Sequence, residues 1–196
     1  AASVPNRAEF GDMIRNQVNE CRRLGVTVEY GVSVWPGLVE ERKPDHVIVA
    51  TGAEPSRPWW VAGDAVQVAD VREVLDGSAA EGGPQPGQTV VVVDEIGFHH
   101  ATSVAEVLAE RGWAVEIVTP GMVVGQDLGI TLDMENWWMR AHAKGIVQST
   151  DLVPMGLTGP GDDGRGELTL LHHPTGQNQT RRPDWHFDSE AAEREL

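Results

Sequence analysis

The stretch that most constrains this chain is Thr89 to Pro120, TVVVVDEIGFHHATSVAEVLAERGWAVEIVTP. Four consecutive valines, Val90 to Val93, stop at an acidic pair, Asp94 and Glu95. A run apolar at every position is the pattern of a strand buried on both faces, as in a parallel sheet. Beyond a turn containing Gly97, the residues Ala101, Val104, Ala105 and Leu108 recur at i, i+3, i+4 and i+7 and predict a helix. Gly112 stands where helices end in a left-handed residue, and Trp113 to Val118 reads as a second apolar strand. Strand, helix and strand within about 30 residues make a βαβ unit. The fold class that follows is α/β with a parallel central sheet.

Composition removes several alternatives. At 196 residues the chain has room for one domain or two small ones. Its formal charge of -15 argues against nucleic acid or an anionic membrane as partner, because both need a basic surface. The single cysteine, Cys21, excludes a disulfide within the chain and an iron–sulfur cluster held by its own thiolates. Cys21 also falls on the apolar face of a predicted helix, where it reads as core filler. No run approaches ~18 apolar residues and no basic-then-apolar leader opens the chain, so the expected compartment is the cytoplasm. The first residue is not Met, and Ala1 to Val4 looks like the middle of something; a fragment is expected.

Around the central unit the chain reads as follows. Asn6 and Glu9 imitate a capping box ahead of a helix with Phe10, Met13, Ile14, Val18, Cys21 and Leu24 on one face. Val26 to Val34 alternates like a strand, Trp35-Pro36-Gly37 is a turn, and His46 to Ala50 is a short buried strand closed by Thr51-Gly52-Ala53. Val71 to Leu75 reads as a short helix, and SAAEGGPQPG, Ser78 to Gly87, is the best linker. After Pro120, Gly121 to Gly129 is a glycine-containing loop. A helix capped by Thr131 or Asp133 follows, with Met134, Trp138 and Ala141 facing inward. Ile146 to Val153 and Leu168 to Leu171 read as strands, Pro154 to Glu167 as a hairpin or loose loop, and Gly176 to Pro183 as a polar stretch. The end of the chain reads as a charged tail.

The turn from Asp94 to His99 is where chemistry is expected. A helix N-terminus offers unpaired N–H groups and about half a unit of positive charge, so anions settle there. Dinucleotide turns add glycines so that the backbone can approach a pyrophosphate. Here Gly97 alone remains of that pattern, and Asp94 and Glu95 stand where glycine would welcome phosphate. A βαβ unit that binds no nucleotide is therefore the alternative. A receiver-type Mg²⁺ site built on the acidic pair fails for want of an Asp ending the third strand and a Lys after Lys144. His99 and His100 point in different directions at a helix start and have no orienting carboxylate, so they are read as positioning groups. No catalytic residue and no metal site is expected. Where the second strand ends, an acid or an Arg would select NAD or NADP; Thr119 stands there instead.

Three passages, PNRAEFGDMIRNQ, VIVATGAEP and VVVVDEIGFHHATSVAEVLAERGWAVEIVTPGMVVGQDLG, carry a resemblance. They resemble the C-terminal flavin- and nicotinamide-binding region of old-yellow-enzyme-like oxidoreductases. That group includes 2,4-dienoyl-CoA reductase and trimethylamine dehydrogenase, and the mycofactocin-associated branch looks nearest. The resemblance implies a Rossmann-like FAD/NAD(P)-binding fold with a partial flavin domain over residues 1–57 and an extended linker over 58–87. An inserted nicotinamide-type domain over 88–183 and a charged tail over 184–196 complete that division. It implies FAD (its site incomplete) and NAD(P)H as cofactors. Thr51, Gly52 and Ala53 would lie beside the flavin nucleotide, and Asp94, Glu95, Gly97, Phe98, His99 and Thr119 would line the nicotinamide-type site. FMN and an iron–sulfur cluster belong, on this resemblance, to an upstream catalytic barrel. The chain alone is expected to be inactive, part of a flavin-dependent NAD(P)H oxidoreductase or a degenerate ADP-type module docked on that barrel.

Overall fold

A computed structural model describes residues 3–53, 56–61, 68–76, 87–159, 161–162 and 164–188, and for 185–188 the backbone alone. It divides into two compact units, one over 7–52 and the other over 53–196 with 3–6.

The first unit holds two helices, α1 Phe10–Arg23 and α2 Pro36–Arg42. Pro36 at the start of α2 suits a position whose N–H has no helical partner. Lys43 ends the helix in the left-handed conformation, and Arg42 is paired with Glu29 at 3.2 Å. Three expectations are corrected in this unit. Asn6 and Glu9 form no capping box: Glu9 is itself the N-cap, without a side-chain bond, and Asn6 has φ 60. The alternating stretch Val26–Val34 is not a strand, and neither is His46–Ala50. A strand exists by virtue of a neighbour that takes its N–H and C=O groups. Among the described residues of this unit no such neighbour is present, and Tyr30 and Ile48 are 84% and 90% exposed. The apolar stripe of α1 buries nothing either; Ile14 is 57% exposed.

The second unit is built on five strands, β1 Val68–Asp70, β2 Thr89–Val93, β3 Ala114–Val118, β4 Val147–Ser149 and β8 Trp185–Asp188. They form a wholly parallel sheet in the order β1-β8-β2-β3-β4. The valine run of β2 divides as a pleated strand must, successive side chains to opposite faces. Val90 and Val92 join Ala101, Val104, Ala105 and Leu108 of helix α4, His99–Glu110, together with Trp137 and Ala141 of helix α5, Met134–Ala143. Val91 and Val93 pack instead with Leu152, Leu157, Leu168 and Leu170 of a three-stranded antiparallel sheet, β5 Leu152–Leu157, β6 Leu168–His172 and β7 Gln177–Arg181. The sheet thus has helices on one face and a second sheet on the other. The four valines are 0–2% exposed, as a strand covered on both sides requires. Burying each Leu or Val side chain of this kind is worth roughly 1.5–3 kcal/mol.

Several sequence-based boundaries shift. Within the stretch expected as an extended linker, β1 precedes helix α3, Val71–Asp76, which stands where the short helix over Val71 to Leu75 was expected. Asp70 and Glu73 explain why. The Asp70 carboxylate accepts from Arg72 N at 2.8 Å while Glu73 accepts from Asp70 N at 2.8 Å, a reciprocal cap that holds the helix start. Residues 62–67 and 77–86 of that linker and 189–196 of the expected tail lie outside the described residues. Trp185–Asp188, also expected as tail, is a strand in the middle of the sheet, between β1 and β2. Ile146–Val153 is two strands rather than one, because Asp151 turns left-handed with φ 59 and redirects the chain from one sheet to the other. In α5 the fully buried tryptophan is Trp137, with Met134 and Trp138 partly buried against the same core, and Asp133 makes no side-chain cap.

Candidate nucleotide site

The carboxyl ends of β2 and β3 lie side by side, with Val93 opposite Val118. Asp94 N donates to Val118 O at 2.8 Å, so the ladder runs one step past β2 before the chain turns towards α4. Ligands of parallel α/β sheets bind at this edge, outside the carboxyl ends of the strands.

The turn is organised by the Asp94 carboxylate. One oxygen accepts from Gly97 N at 2.9 Å, and the other from Gly125 N at 3.0 Å in the loop that follows β3. Asp94 is wholly buried. Burial pushes its carboxyl up from the ordinary value, against the opposing pull of the Gly125 and Gly97 N–H donors and of nearby His100. The two loops are joined again where Asp127 N donates to Gly97 O at 2.8 Å. Gly97, at φ 74, is needed for this turn's left-handed backbone. Gly125 is needed twice over: its φ is 66, and a Cβ there would meet Leu128 Cδ1 at 2.8 Å.

Above this turn lies a cleft of about 330 Å³ lined by Glu95, Gly97, Thr119, Gly121, Gln126 and Asp127 together with Ile96, Pro120 and Val123. Of the residues expected at the site, Glu95, Gly97 and Thr119 line it and Asp94 forms its floor support. Glu95 accepts from the Trp60 indole N–H at 3.1 Å, and the Thr119 hydroxyl accepts from Gly121 N at 3.2 Å. Phe98 and His99 are turned elsewhere. Phe98 packs against the helix-side core, and the His99 ring sits 4.3 Å from it with Thr131 Oγ1 at 3.4 Å from its Nε2. Thr51 and Gly52 belong to the other unit; Ala53 begins the second unit and its carbonyl accepts from Arg72 Nη1 at 3.1 Å. Gln126 and Asp127 were not anticipated as lining residues, although the glycines of G-M-V-V-G-Q-D, Gly121 and Gly125, mark the loop that carries them.

A larger hollow of about 500 Å³ sits at the opposite, amino ends of β2 and β3, among Thr89, Ala114, Val115, Glu116 and Arg181. Two of its charges, Glu116 and Arg181, are engaged with each other. Arg181, within the stretch expected to be polar, pairs with Glu116 at 2.8 Å, and the Ser149 hydroxyl donates to the same carboxylate at 2.7 Å. The carboxyl-end cleft, though smaller, lies where ligands of parallel α/β sheets bind.

No protein-family model matches the chain. Over 119 residues it is 33% identical to a probable N-methylproline demethylase of Rhizobium meliloti, covering 61% of this chain and 17% of that protein. Over 159 residues it is 27% identical to the N,N-dimethylglycine/sarcosine dehydrogenase of Chromohalobacter salexigens, covering 78% and 22%. The chain therefore spans about a fifth of these relatives' length. Its fold is that of a region of the 6-hydroxypseudooxynicotine amine oxidase of Pseudomonas geniculata N1, with a TM-score of 0.80 at 22% identity over 96% of this chain and 28% of that one. A 2-naphthoyl-CoA reductase gives 0.78 at 21% identity, over 96% and 26%. An FAD-bound cadaverine monooxygenase of Erwinia amylovora gives 0.56 at 10% identity, over 72% and 43%. Oxidoreductases recur in both comparisons. The chain is a mixed α/β region, and no helix among its described residues is long and apolar enough to cross a membrane.

Proposed function

We propose that this chain is the nucleotide-binding portion of a cytoplasmic NAD(P)H- and flavin-dependent oxidoreductase, of the old-yellow-enzyme-like kind. In this reading residues 1–57 are part of an FAD-binding domain, and the parallel-sheet unit is the inserted nicotinamide-type domain. The complete enzyme adds a catalytic barrel with FMN and an iron–sulfur cluster, and this chain alone turns over no substrate. The observation that carries the reading is the glycine-bearing turn between β2 and α4, which opens on a cleft at the carboxyl ends of a parallel sheet. The similarity to a demethylase and a dehydrogenase supports it.

The residues of the cleft fit one part of a dinucleotide and not another. Glu95 and Asp127 offer carboxylates to hydroxyl donors such as a ribose, and the volume suits a nucleoside. The Asp94 side chain already holds the Gly97 and Gly125 N–H groups beside the cleft, donors that a pyrophosphate would otherwise draw on. That occupancy favours a second reading, a degenerate ADP-type or structural module docked on the barrel without redox activity of its own. Titration of the chain with NADH and with NADPH separates the two. Saturable binding of either below millimolar concentration supports the redox role, and its absence for both supports the structural one.

A further inference from the structure

We propose that Asp94 is the internal anion of this cleft: its carboxylate takes the N–H donors of Gly97 and Gly125, so the site admits the nucleoside part of a nucleotide and turns away its pyrophosphate. This rests on reading the cleft as the nucleotide site.

Four observations carry it. Gly97 N, of a residue that lines the cleft, and Gly125 N, in the loop behind it, lie 2.9 and 3.0 Å from the two Asp94 oxygens, and each is satisfied. Asp94 is wholly buried, so an incoming phosphate cannot share those donors without expelling the side chain into a cleft already lined by Glu95 and Asp127. Among the described residues none that lines that cleft carries a positive charge to offset a phosphate, and Thr119 supplies none at the end of β3. Its volume of about 330 Å³ lies at the small end of ligand cavities, roughly 300–1,000 Å³.

The plainer role for Asp94 is a staple between two loops. The two roles part on a gain of function, because removing a staple loosens the site whereas removing an anion opens it. Asp94→Asn keeps the shape but accepts from only one N–H, since its amide nitrogen is a donor; Asp94→Gly vacates the place. Calorimetric titration with ADP and with adenosine is the test. The expected result is an ADP-to-adenosine affinity ratio raised by at least about tenfold in both variants, the scale of recovering charge-assisted donors. That ratio unchanged or lowered in both variants overturns the proposal. Should wild type bind adenosine but neither ADP nor NADH while Asp94→Gly binds ADP, the proposal stands and the NAD(P)H-relay reading falls. The amide resonances of Gly97 and Gly125 in wild type decide the matter without any variant. They stay in place as inorganic pyrophosphate is added if Asp94 holds them; if they move with pyrophosphate or NADH, the nucleotide role survives and the proposal is lost.

Discussion

Helices α1 and α4, of 14 and 12 residues, both carry an apolar stripe and meet opposite circumstances. In α4 every residue from Ala101 to Leu108 is buried, whereas α1 buries none. The same contrast holds for strands. The valines of β2 are covered on both faces, and the valines between Val26 and Val34 are exposed and unpaired by any ladder. Periodicity states which side of an element wants to be covered; only a neighbour decides whether it is. In the second unit that neighbour comes from within the chain, as the three-stranded sheet on one side and α4 and α5 on the other.

The strongest way to break this comparison is a pair of truncations. Leu108→Ala should cost about 3–4 kcal/mol in urea unfolding, the loss of a fully buried leucine with the cavity it leaves. Ile14→Ala should stay within about 0.5 kcal/mol. An equal cost at Ile14 would mean that the α1 stripe is covered in solution. Next in size is Glu106, whose side chain is only 3% exposed yet binds Arg140 at 3.0 Å and Lys144 at 2.7 Å across to α5. Glu106→Ala leaves Arg140 with Asp133 and Lys144 with Glu110 as their remaining carboxylates, for an expected loss of about 2 kcal/mol. Its replacement by apolar Leu should recover part of that if α4–α5 packing, rather than charge, is what matters.

The smallest effect concerns pH and sharpens the comparison between Asp94 and Asp184. The backbone N–H of Thr89 holds the Asp184 carboxyl below its ordinary value, helped by the Thr89 hydroxyl and Arg165. A lowered carboxyl lends stability above its unfolded value, about pH 4, and loses it as pH falls through the folded one. Asp184→Asn should therefore be less stable than wild type near neutrality, with the gap closing in acid. Asp94 runs the other way. Its raised carboxyl favours the folded state at low pH, a contribution lost as pH rises through the folded value, so an unfolding series on Asp94→Asn should show a gap of opposite slope.

Much of the second unit was legible in the chain. The β2 run, the α4 stripe and the left-handed Gly97 and Gly112 all follow from local chemistry, and each stands where the pattern puts it. What escaped was non-local. The Gln-Asn-Gln-Thr-Arg of β7 has no apolar alternation to announce it, because that edge strand is largely exposed. Asp94 looked hostile to any anion, but its partner Gly125 lies 31 residues away, so nothing in the turn itself disclosed that the carboxylate is fully satisfied. Phe98 and His99 adjoin the turn in sequence and yet leave the cleft, since the first belongs to the core and the second follows it.

The position of β8 bears on how such a chain is made. Val68 waits for His186 and Val90 for Trp185, so the sheet's middle is supplied last during synthesis. Until then β1 lacks its one lateral neighbour among the described strands, and β2, β3 and β4 stand as a half-sheet with an open flank. Long-range parallel pairing of this sort assembles slowly and invites adhesion to other chains meanwhile. A truncation ending at Asp184 should therefore be retained by chaperones in the cell, although it keeps the whole cleft.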